Sequence, residues 1–299
     1  MLLKWHYQGD PVRLQKFLVQ QGLSMAQLTR LKYHGGAIYV NHKQRKTAFM
    51  IHAGDVVRVV MAPEIPADAV VATPGPVEII YEDRDLLVVN KPAGTASIPA
   101  ANKADDSMAN YVKAYLQQSH AESTSIHVVT RLDRDTSGLM IFAKHSFAHT
   151  LLDRQLHTRS LDKQYIAISS GDVPLTMHGW MMLRLGLSED FYMRRAVVPD
   201  GKKSVTEYRV LAQNGRYAMT RVYLHTGRTH QIRVHFSAIG RPLVGDSLYG
   251  GEMLMSRQAL HCSDLNIEHP FTGEMLHLHA PLTPDMADVA LRLGLSADE

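Results

Sequence analysis

The sequence predicts an α+β protein in which a strand-rich main domain follows a small unit of two helices and a hairpin. From residue 77 onward, short apolar runs bounded by turn residues recur with few long helical patterns between them, which is typical of strands. Residues 63–76 hold four prolines and no basic residue, the composition of a linker. We therefore predict an N-terminal unit over 1–62, a linker over 63–76 and a main domain over 77–299.

The N-terminal unit is predicted from helical patterns that are followed by strand patterns. Apolar residues at helical spacing indicate a first helix. Ser24 followed by Gln27 is the pattern of a capping box, so a second helix begins there. Residues 37–40 and 55–61 have the composition of strands, and Asn41-His42 between them is a turn pattern.

The main domain opens with VEIIYEDRDLLVVNKPAG, which predicts two strands around an acidic turn. Apolar runs at 128–129 and 139–143 predict strands on either side of a polar loop. Thr229 is placed to cap a later helix. The apolar face of that helix consists of Ile232, Phe236 and Ile239. The stretch ADVALRLGL predicts a short helix near the C-terminus.

Composition indicates a soluble globular protein. Of the 299 residues, 45% are hydrophobic and 20% charged, which is an ordinary balance for this class. Cys262 is the single cysteine, which excludes an internal disulfide and fits a reducing compartment. No apolar run has the length of a membrane span or of a signal peptide. We expect a cytoplasmic monomer with no membrane partner.

The positive charge of the chain is concentrated in the N-terminal unit. Residues 1–62 carry nine Lys or Arg against two Asp or Glu, a net charge of +7, while the rest of the chain carries −4, which together give +3. Such asymmetry predicts a basic module for an acidic partner. The basic residues expected to contact that partner are Arg13, Lys16, Arg30, Lys32, Lys43, Arg45 and Lys46.

The polar loop RLDRDTSG is the most informative segment. It places Asp133 between Arg131 and Arg134 at the point where a strand ends. Nearby positive charge favours the ionised form of a carboxyl group, and an ionised, positioned Asp can act as nucleophile or general base. The simpler alternative is a solvated turn with surface ion pairs, which contribute little to stability.

A second alternative is a magnesium-dependent phosphatase. Asp133, Asp135 and Thr136 fit the Asp-x-Asp-x-Thr pattern of haloacid-dehalogenase-like enzymes, and Asp246 is then a candidate metal ligand. These enzymes carry the motif near the start of a doubly wound α/β domain, whereas here it lies among strand patterns in mid-chain. Histidines recur at intervals of five residues near the second half, but no group of them has the spacing of a zinc site, so we predict no metal.

The longer wording RLDRDTSGLMIFAKH resembles the signature of the RluA-type pseudouridine synthases. Thr130 stands where that family usually has His. The resemblance implies that Asp133 is the essential carboxylate, that Tyr165 of the Lys-x-Tyr motif lies against the target base, and that Arg233 pairs with the carboxylate in a bidentate geometry. All three positions hold the expected residue, which argues against a non-catalytic RNA-binding relative.

The resemblance extends over TGRTHQIRVHFSAIGRPLVGDSLYG and RQALHCSDLNIEHPFTGEMLHLHAPL, so it covers the main domain from residue 77 to the C-terminus. It implies a mixed, largely antiparallel sheet with flanking helices. The stretch GGAIYVNHKQRKTAFMIHAGDVVRV is similar to the ribosomal S-four-like RNA-binding domain. Further RNA contacts are expected from Arg131, Arg228 and His230.

The implied activity is the isomerisation of specific uridines to pseudouridine in structured RNA, with no cofactor. Because many relatives that carry the N-terminal module modify large-subunit ribosomal RNA, the resemblance makes this RNA the expected partner; transfer RNA stays open. Asp133 would either attack the anomeric carbon or remove a proton from the 2′ carbon, and the sequence does not separate these routes.

Overall fold

A computed structural model describes residues 1–64, 70–100, 105–119, 121, 123–158, 160–188 and 194–295. Part of the predicted linker, 65–69, and the C-terminal tail, 296–299, lie outside this range. The helices are α1 (Leu14–Gln20), α2 (Met25–Tyr33), α3 (Met108–Gln118), α4 (Ser146–Thr158), α5 (Gln231–Ala238) and α6 (Pro284–Arg292). None of these helices is both long and apolar enough to cross a membrane.

The strands fall into an N-terminal group and a larger group from residue 78 onward. The first group is β1 (Leu2–His6), β2 (Val12–Arg13), β3 (Ala37–Val40), β4 (Lys43–Gln44), β5 (Met50–Ile51) and β6 (Val56–Val60). The second group is β7 (Glu78–Glu82), β8 (Leu86–Lys91), β9 (His127–Val128), β10 (Ser137–Ala143), β11 (Asp162–Ser170), β12 (His178–Leu187), β13 (Arg195–Val197), β14 (Lys202–Gln213), β15 (Tyr217–Leu224), β16 (Leu260–Glu268) and β17 (Met275–His279).

The N-terminal strands form an antiparallel sheet in the order β1-β6-β3-β4, and α1 and α2 share one hydrophobic cluster with it. The predicted capping box of α2 is confirmed, since Ser24 Oγ accepts from the Gln27 amide at 3.2 Å and Gln27 Oε1 accepts from the Ser24 amide at 2.8 Å. Asn41 and His42 have φ values of 48° and 68°, the left-handed conformation of a tight hairpin turn. Phe147 of α4 belongs to the same cluster, so these N-terminal elements pack on α4.

The larger group forms one sheet in the order β13-β12-β14-β15-β11-β16-β10-β8-β7, with β17 beside β16 and β9 beside β10. Among the described strands, β10 and β16 are the one parallel pair, and all other pairings are antiparallel. The predicted α+β class with a mixed, largely antiparallel sheet is therefore confirmed. A doubly wound parallel sheet is excluded, and with it the architecture that the phosphatase alternative requires.

Helices cover both faces of this sheet. In β8, Leu87 and Val89 pack with α3, while the alternate residues Leu86 and Val88 belong to the main cluster, which also contains Phe236 of α5. The cluster under α6 contains Ile166 and Ile168 of β11, Met219 of β15, and Met286 and Val289 of α6. The sheet is thus packed on both faces, which fixes the positions of the loops at the ends of its strands.

A close approach of backbones fixes the parallel pair. Gly138 of β10 has φ of +111°, and a Cβ atom there would lie 2.2 Å from the carbonyl oxygen of Cys262 in β16. Because a side chain at this position would clash with the neighbouring backbone, Gly138 is needed for the packing of β10 on β16 as well as for the turn after Asp133.

Two details of the helix α5 prediction are wrong. The residue that caps α5 is His230, in the left-handed conformation with φ of 57°, and not Thr229. The Gln231 amide, which a capping Thr229 side chain would have to reach, donates instead to the Arg228 carbonyl at 3.1 Å. The Gln231 side chain folds back on the preceding loop, where its Oε1 accepts from the Arg228 amide at 3.1 Å and from Thr226 Oγ1 at 2.7 Å. Ile239 follows the end of the helix and is 42% exposed, because the apolar face ends with Phe236.

Acid is expected to destabilise the protein through His235. This side chain is fully buried in α5, its Nε2 donates to Ser204 Oγ at 2.7 Å, and Nδ1 has no hydrogen-bond partner among the described residues. Burial lowers the pKa of His235 to about 4, below its ordinary value of 6.5. Since the unfolded chain takes up this proton first, stability is fully present above pH 6.5 and falls as the pH drops toward 4, by about 3 kcal/mol.

Denaturant unfolding at pH 7 and pH 4.5 measures this effect. The stability difference between the two pH values is expected to be smaller in His235→Gln than in the unchanged protein, while His279→Gln, in which a 65% exposed side chain is replaced, keeps the full difference. An equal pH dependence in His235→Gln and the unchanged protein would contradict the assignment.

Candidate active site

The loop that holds Asp133 connects β9 to β10, and buried polar groups fix its backbone. Lys91 Nζ donates to the Arg134 carbonyl at 2.8 Å and also to the carbonyls of Pro92 and Thr95. Ser97 Oγ donates to the Leu132 carbonyl at 2.7 Å and accepts from the Leu132 amide at 2.9 Å. The residues before and after Asp133 are thus both anchored, which leaves the carboxylate little freedom to move.

Lys91 is fully buried at the end of β8. Burial lowers the pKa of Lys91 to about 7, against the attraction of Asp135 and Asp133, which raise it. Its ammonium group has three N–H donors, and the three carbonyls that accept from it use all of them. Lys91 therefore joins the loop after β8 to the loop of Asp133.

Thr130 performs a structural role at the position where the family pattern has His. Its side chain is buried, and its Oγ1 accepts from the Ile141 amide of β10 at 3.0 Å. The hydroxyl therefore ties the entry of the loop to the strand that leaves it. This contact does not involve the Asp133 carboxylate.

Arg233 connects Asp133 to a second carboxylate. Its Nε and Nη2 donate to the two oxygens of Asp246 at 2.8 and 2.9 Å, and its Nη1 donates to Asp133 Oδ2 at 3.3 Å. The bidentate pair predicted for Arg233 and Asp133 is thus wrong: the fork pairs with Asp246, which is buried, while Asp133 receives one longer hydrogen bond. Burial opposes the charge on Arg233, but the two carboxylates outweigh it and raise the pKa of Arg233.

This arrangement leaves most of the Asp133 carboxylate available. Asp246 neutralises the buried guanidinium. An N–H on Nη1 of Arg233 then orients Asp133 without covering both carboxylate oxygens of Asp133. The side chain of Asp133 is 25% exposed, against 1% for Asp246. Asp133 is therefore the carboxylate of this pair that can contact a ligand.

His230 also faces Asp133, with its Nε2 at 3.9 Å from Oδ2. Its Nδ1 lies 2.9 Å from the hydroxyl of Tyr249, which itself accepts from the Arg195 amide at 2.9 Å. Among the described residues, His230 Nδ1 is the acceptor for the hydroxyl proton of Tyr249, so Nδ1 carries no proton of its own. We therefore assign the neutral tautomer of His230 with its proton on Nε2. Burial lowers the pKa of His230, which also favours the neutral form.

Tyr165 lies at the floor of the site in β11. It pairs with Cys262 of β16 and is 3% exposed. Burial is the main cause that raises the pKa of the Tyr165 phenol, and the negative charge of Asp133 acts in the same direction. Tyr165 therefore keeps its proton and offers a neutral aromatic ring to the cavity.

These residues surround an open cavity of about 1070 Å³. Of the residues predicted from the sequence, those that line it are Asp133, Tyr165, Arg233, Arg131, Arg228 and His230. The predicted residues that do not line it belong to the N-terminal elements and are Arg13, Lys16, Arg30, Lys32, Lys43, Arg45 and Lys46. This cavity volume is slightly above the usual range of ~300–1,000 Å³ for ligand pockets. The cavity therefore has room for a nucleotide together with parts of its neighbours.

Two of these N-terminal cations are engaged within the protein. Arg30 Nη2 donates to the Pro63 carbonyl at 2.8 Å, and the guanidinium of Arg45 lies 4.4 Å from the ring centre of Phe49. Lys16, Lys32, Lys43 and Lys46 are exposed, as is Arg13. The basic character of this part of the chain is therefore at its surface, where it can meet phosphates.

Asp83, Asp85 and His269 form a cluster with metal-ligand atoms, but its histidine is already fully used. His269 Nε2 pairs with Asp83 Oδ2 at 2.7 Å, and its Nδ1 accepts from the amides of Phe271 and Thr272. Nε2 therefore carries the proton, and the lone pair on Nδ1 points at backbone N–H groups. Asp83 Oδ1 in turn accepts from two backbone amides, so the cluster is a hydrogen-bonded support of the β7–β8 turn.

Comparison with known proteins settles the family. The family model described as RNA pseudouridylate synthase matches residues 85–238, which include Asp133, Tyr165 and Arg233. This chain belongs to that family. It is an RNA pseudouridine synthase by the family model and by its relatives.

The pseudouridine synthase resembles relatives along most of its length. It is 38% identical to the Bacillus subtilis protein named uncharacterized RNA pseudouridine synthase YjbO, over 92% of this chain and 96% of the relative. It is 39% identical to the ribosomal large subunit pseudouridine synthase D of Pasteurella multocida, over 72% of this chain and 70% of the relative. Among solved structures, human RNA pseudouridylate synthase domain containing 4 has a TM-score of 0.60 at 22% identity and covers 73% of this chain and 93% of its own, which shows a shared fold.

Sequence reasoning missed three residues that organise the site of this pseudouridine synthase. Asp246 was considered only as a metal ligand, and neither Lys91 nor Tyr249 was assigned a role. Asp246 and Tyr249 both lie in the GDSLYG wording that ends the matching string around Arg233. The presence of Asp246 and Tyr249 between glycines in this matching segment could have indicated that they support the catalytic residues.

Proposed function

We propose that this pseudouridine synthase isomerises specific uridines in large-subunit ribosomal RNA, with Asp133 as the essential carboxylate. The observation that carries the proposal is the position of Asp133, which lies in the cavity, is oriented by Arg233 at 3.3 Å and faces the same space as Tyr165. The ribosomal substrate is supported by the identity of 39% with enzymes named ribosomal large subunit pseudouridine synthase D.

The chemistry is redox-neutral and needs a base or nucleophile at the sugar. The bond between N1 of uracil and C1′ of ribose breaks, a bond between C5 and C1′ forms, N1 gains a proton, and the proton on C5 leaves. Asp133 either attacks C1′ or removes a proton from C2′ to give a glycal, and each route requires a free carboxylate oxygen. The single hydrogen bond from Arg233 leaves such an oxygen available.

The free uracil has to be held while it turns, and Tyr165 is placed for this task. The phenol is buried on β11, and its ring is available for stacking on the flat base. Because burial and the charge of Asp133 raise the pKa of Tyr165, its hydroxyl is a hydrogen-bond donor rather than an anion at neutral pH. The neutral His230, with its Nε2 proton toward Asp133, provides a second donor beside the carboxylate.

The cations at the mouth of the cavity are suited to hold the RNA backbone. Arg131 and Arg228 are exposed and line the cavity. The N-terminal elements, which we propose to be an S-four-like RNA-binding domain, add exposed lysines at a net charge of +7 over residues 1–62. Such contacts offset the cost of a few kcal/mol for taking a uridine out of its stack.

The test is to incubate the protein with unmodified ribosomal RNA and transfer RNA in the presence of EDTA. Pseudouridine is mapped by the block to primer extension after carbodiimide treatment. New stops in large-subunit RNA alone support the proposal and give the target nucleotide. New stops in transfer RNA alone would move the substrate to that class, for which the open mouth of the cavity leaves room. Activity that EDTA abolishes would contradict the metal-free chemistry.

A further inference from the structure

One face of the main sheet presents an exposed tryptophan beside the cavity. Trp180 of β12 is 48% exposed although it is a large aromatic side chain. Because directly opposed residues on neighbouring strands share a face, Trp180 shares its face with Glu207 of β14 and Tyr223 of β15. The outer face, as we name it, comprises His178, Trp180, Met182, Arg184, Lys203, Glu207, Arg209 and Tyr223, together with Val205 opposite Met182 and Arg221 opposite Arg209.

The indole of Trp180 is held in place by polar contacts beneath it. The ring of His225 stacks on it, with 4.7 Å between ring centres and 25° between planes. Glu207 accepts from His225 Nε2 at 2.8 Å through one oxygen and from His178 Nε2 at 2.8 Å through the other. Trp180 is therefore a rigid aromatic plate, and not a loosely exposed side chain.

The outer face continues directly into the cavity of Asp133. Glu207, Tyr223 and His225 line that cavity as well as belonging to or supporting the face. Arg228, which also lines the cavity, donates from Nε to the carbonyl of Lys203 at 3.3 Å. Trp180 stacks on His225, which lines the cavity, so an RNA strand that places one nucleotide in the cavity can reach Trp180 along this face.

The charges on this face match a nucleic acid. Arg184, Lys203 and Arg209 are exposed and basic, while Glu207, the one acidic member of the face, is occupied by two histidines. Basic side chains around an aromatic plate are the pattern that binds single-stranded RNA, in which phosphates meet cations and bases stack on rings. A nucleotide next to a flipped-out uridine has lost a stacking neighbour, and an aromatic plate beside the cavity replaces it.

We propose that Trp180 stacks a base of the RNA strand next to the target nucleotide, with Lys203 and Arg209 holding the flanking phosphates. This inference rests on the proposed function for the identity of the RNA, but it concerns a binding contact and not the chemical step. It assigns to Trp180 a part of the substrate affinity and no part of the bond exchange.

Kinetics on the mapped RNA substrate test the contribution of Trp180. Trp180→Ala is expected to raise KM by about 10- to 100-fold and to change kcat less than about 3-fold, since stacking on a flanking base is made equally in the ground and transition states. Trp180→Phe retains a ring and is expected to restore most of the affinity. Leu291→Ala is the matched control, because Leu291 is a 73% exposed apolar side chain on α6. An unchanged KM in Trp180→Ala would overturn the proposal.

Fluorescence tests the contact without catalysis. The chain has two tryptophans, so Trp5→Phe leaves Trp180 as the single indole. Titration with a short oligouridylate strand is expected to quench it, and in the same titration Arg209→Ala lowers the slope of log affinity against log salt by about 0.7. Trp180→Ala, measured with end-labelled RNA, is expected to weaken binding and leave that slope unchanged.

The outcomes separate this proposal from the proposed function. Quenching by oligouridylate together with no pseudouridine in any RNA would reject the proposed function and leave the stacking contact standing. RNA binding without any change in the fluorescence of Trp180 would overturn the stacking contact. Self-association that disappears in Trp180→Ala, again without quenching by RNA, would identify the outer face as an interface between copies of this chain and would likewise overturn it.

Discussion

Asp133→Asn is expected to lower the rate of pseudouridine formation by about 10⁴-fold while the protein stays folded and binds RNA. The amide keeps the shape of the carboxylate, and its oxygen still accepts from Arg233 Nη1, so the loop has no reason to move. It is neither a base nor a nucleophile, however, so both routes to the broken glycosidic bond are closed. The measurement is single-turnover conversion of the mapped RNA, with thermal unfolding to verify the fold.

Asp135→Asn is the matched control for this prediction. It removes a carboxylate from the same loop, and Asp135 does not line the cavity. Activity is expected to stay within about 10-fold of that of the unchanged protein, because the variant loses the attraction between Asp135 and Lys91 and keeps Asp133. Equal losses in both variants would instead indicate that the negative charge of the loop matters and not the position of Asp133.

Asp246→Asn is expected to lower both stability and rate. Asp246 is the bidentate partner of the buried Arg233, and removal of one member of a buried ion pair costs about 3–5 kcal/mol. Because the Asn oxygen can accept only one of the two hydrogen bonds from the fork, Arg233 is also expected to turn toward Asp133 and occupy the carboxylate oxygen that the reaction needs. A displacement of about 1 Å at a reacting group can lower the rate by about 10²-fold, and we expect a loss of that order in kcat.

Unfolding by denaturant and single-turnover rates measure the two effects separately. Asp285→Asn is the control, because Asp285 forms the same kind of bidentate pair with Arg257, at 2.7 and 2.9 Å, outside the cavity. It is expected to lose stability and to keep kcat. A normal kcat in Asp246→Asn would show that Arg233 does not need its second carboxylate to position Asp133.

The sequence was most informative where a signal is local. Apolar runs and turn residues predicted β8, β10 and the terminal helix α6, and the Ser24–Gln27 spacing predicted the start of α2, because these patterns act within a few residues. Family wording identified Asp133, Tyr165 and Arg233, which lie far apart in the chain, and the fold brings all three to one cavity. Their placement together supports the roles proposed for them.

Two of the misses share a physical cause, which is competition between groups that can bind the same partner. The bidentate partner of Arg233 is Asp246 rather than Asp133 because the deeper carboxylate is the one aligned with the fork. Thr229 does not cap α5 because the Gln231 amide donates to the Arg228 carbonyl instead. Ile239 was wrongly assigned to the apolar face of α5, because the helical spacing of apolar residues does not show where the buried part of the helix ends.

Exchange of the N1–C1′ bond for a C5–C1′ bond within this cavity is expected to depend on Asp133. Release of tritium to water from unmodified ribosomal RNA labelled at carbon 5 of uracil measures it directly, because formation of the new bond expels the hydrogen at that carbon. Stoichiometric release is expected at a few sites with the unchanged protein, and none with Asp133→Asn. Release that persists in Asp133→Asn would contradict this dependence on Asp133.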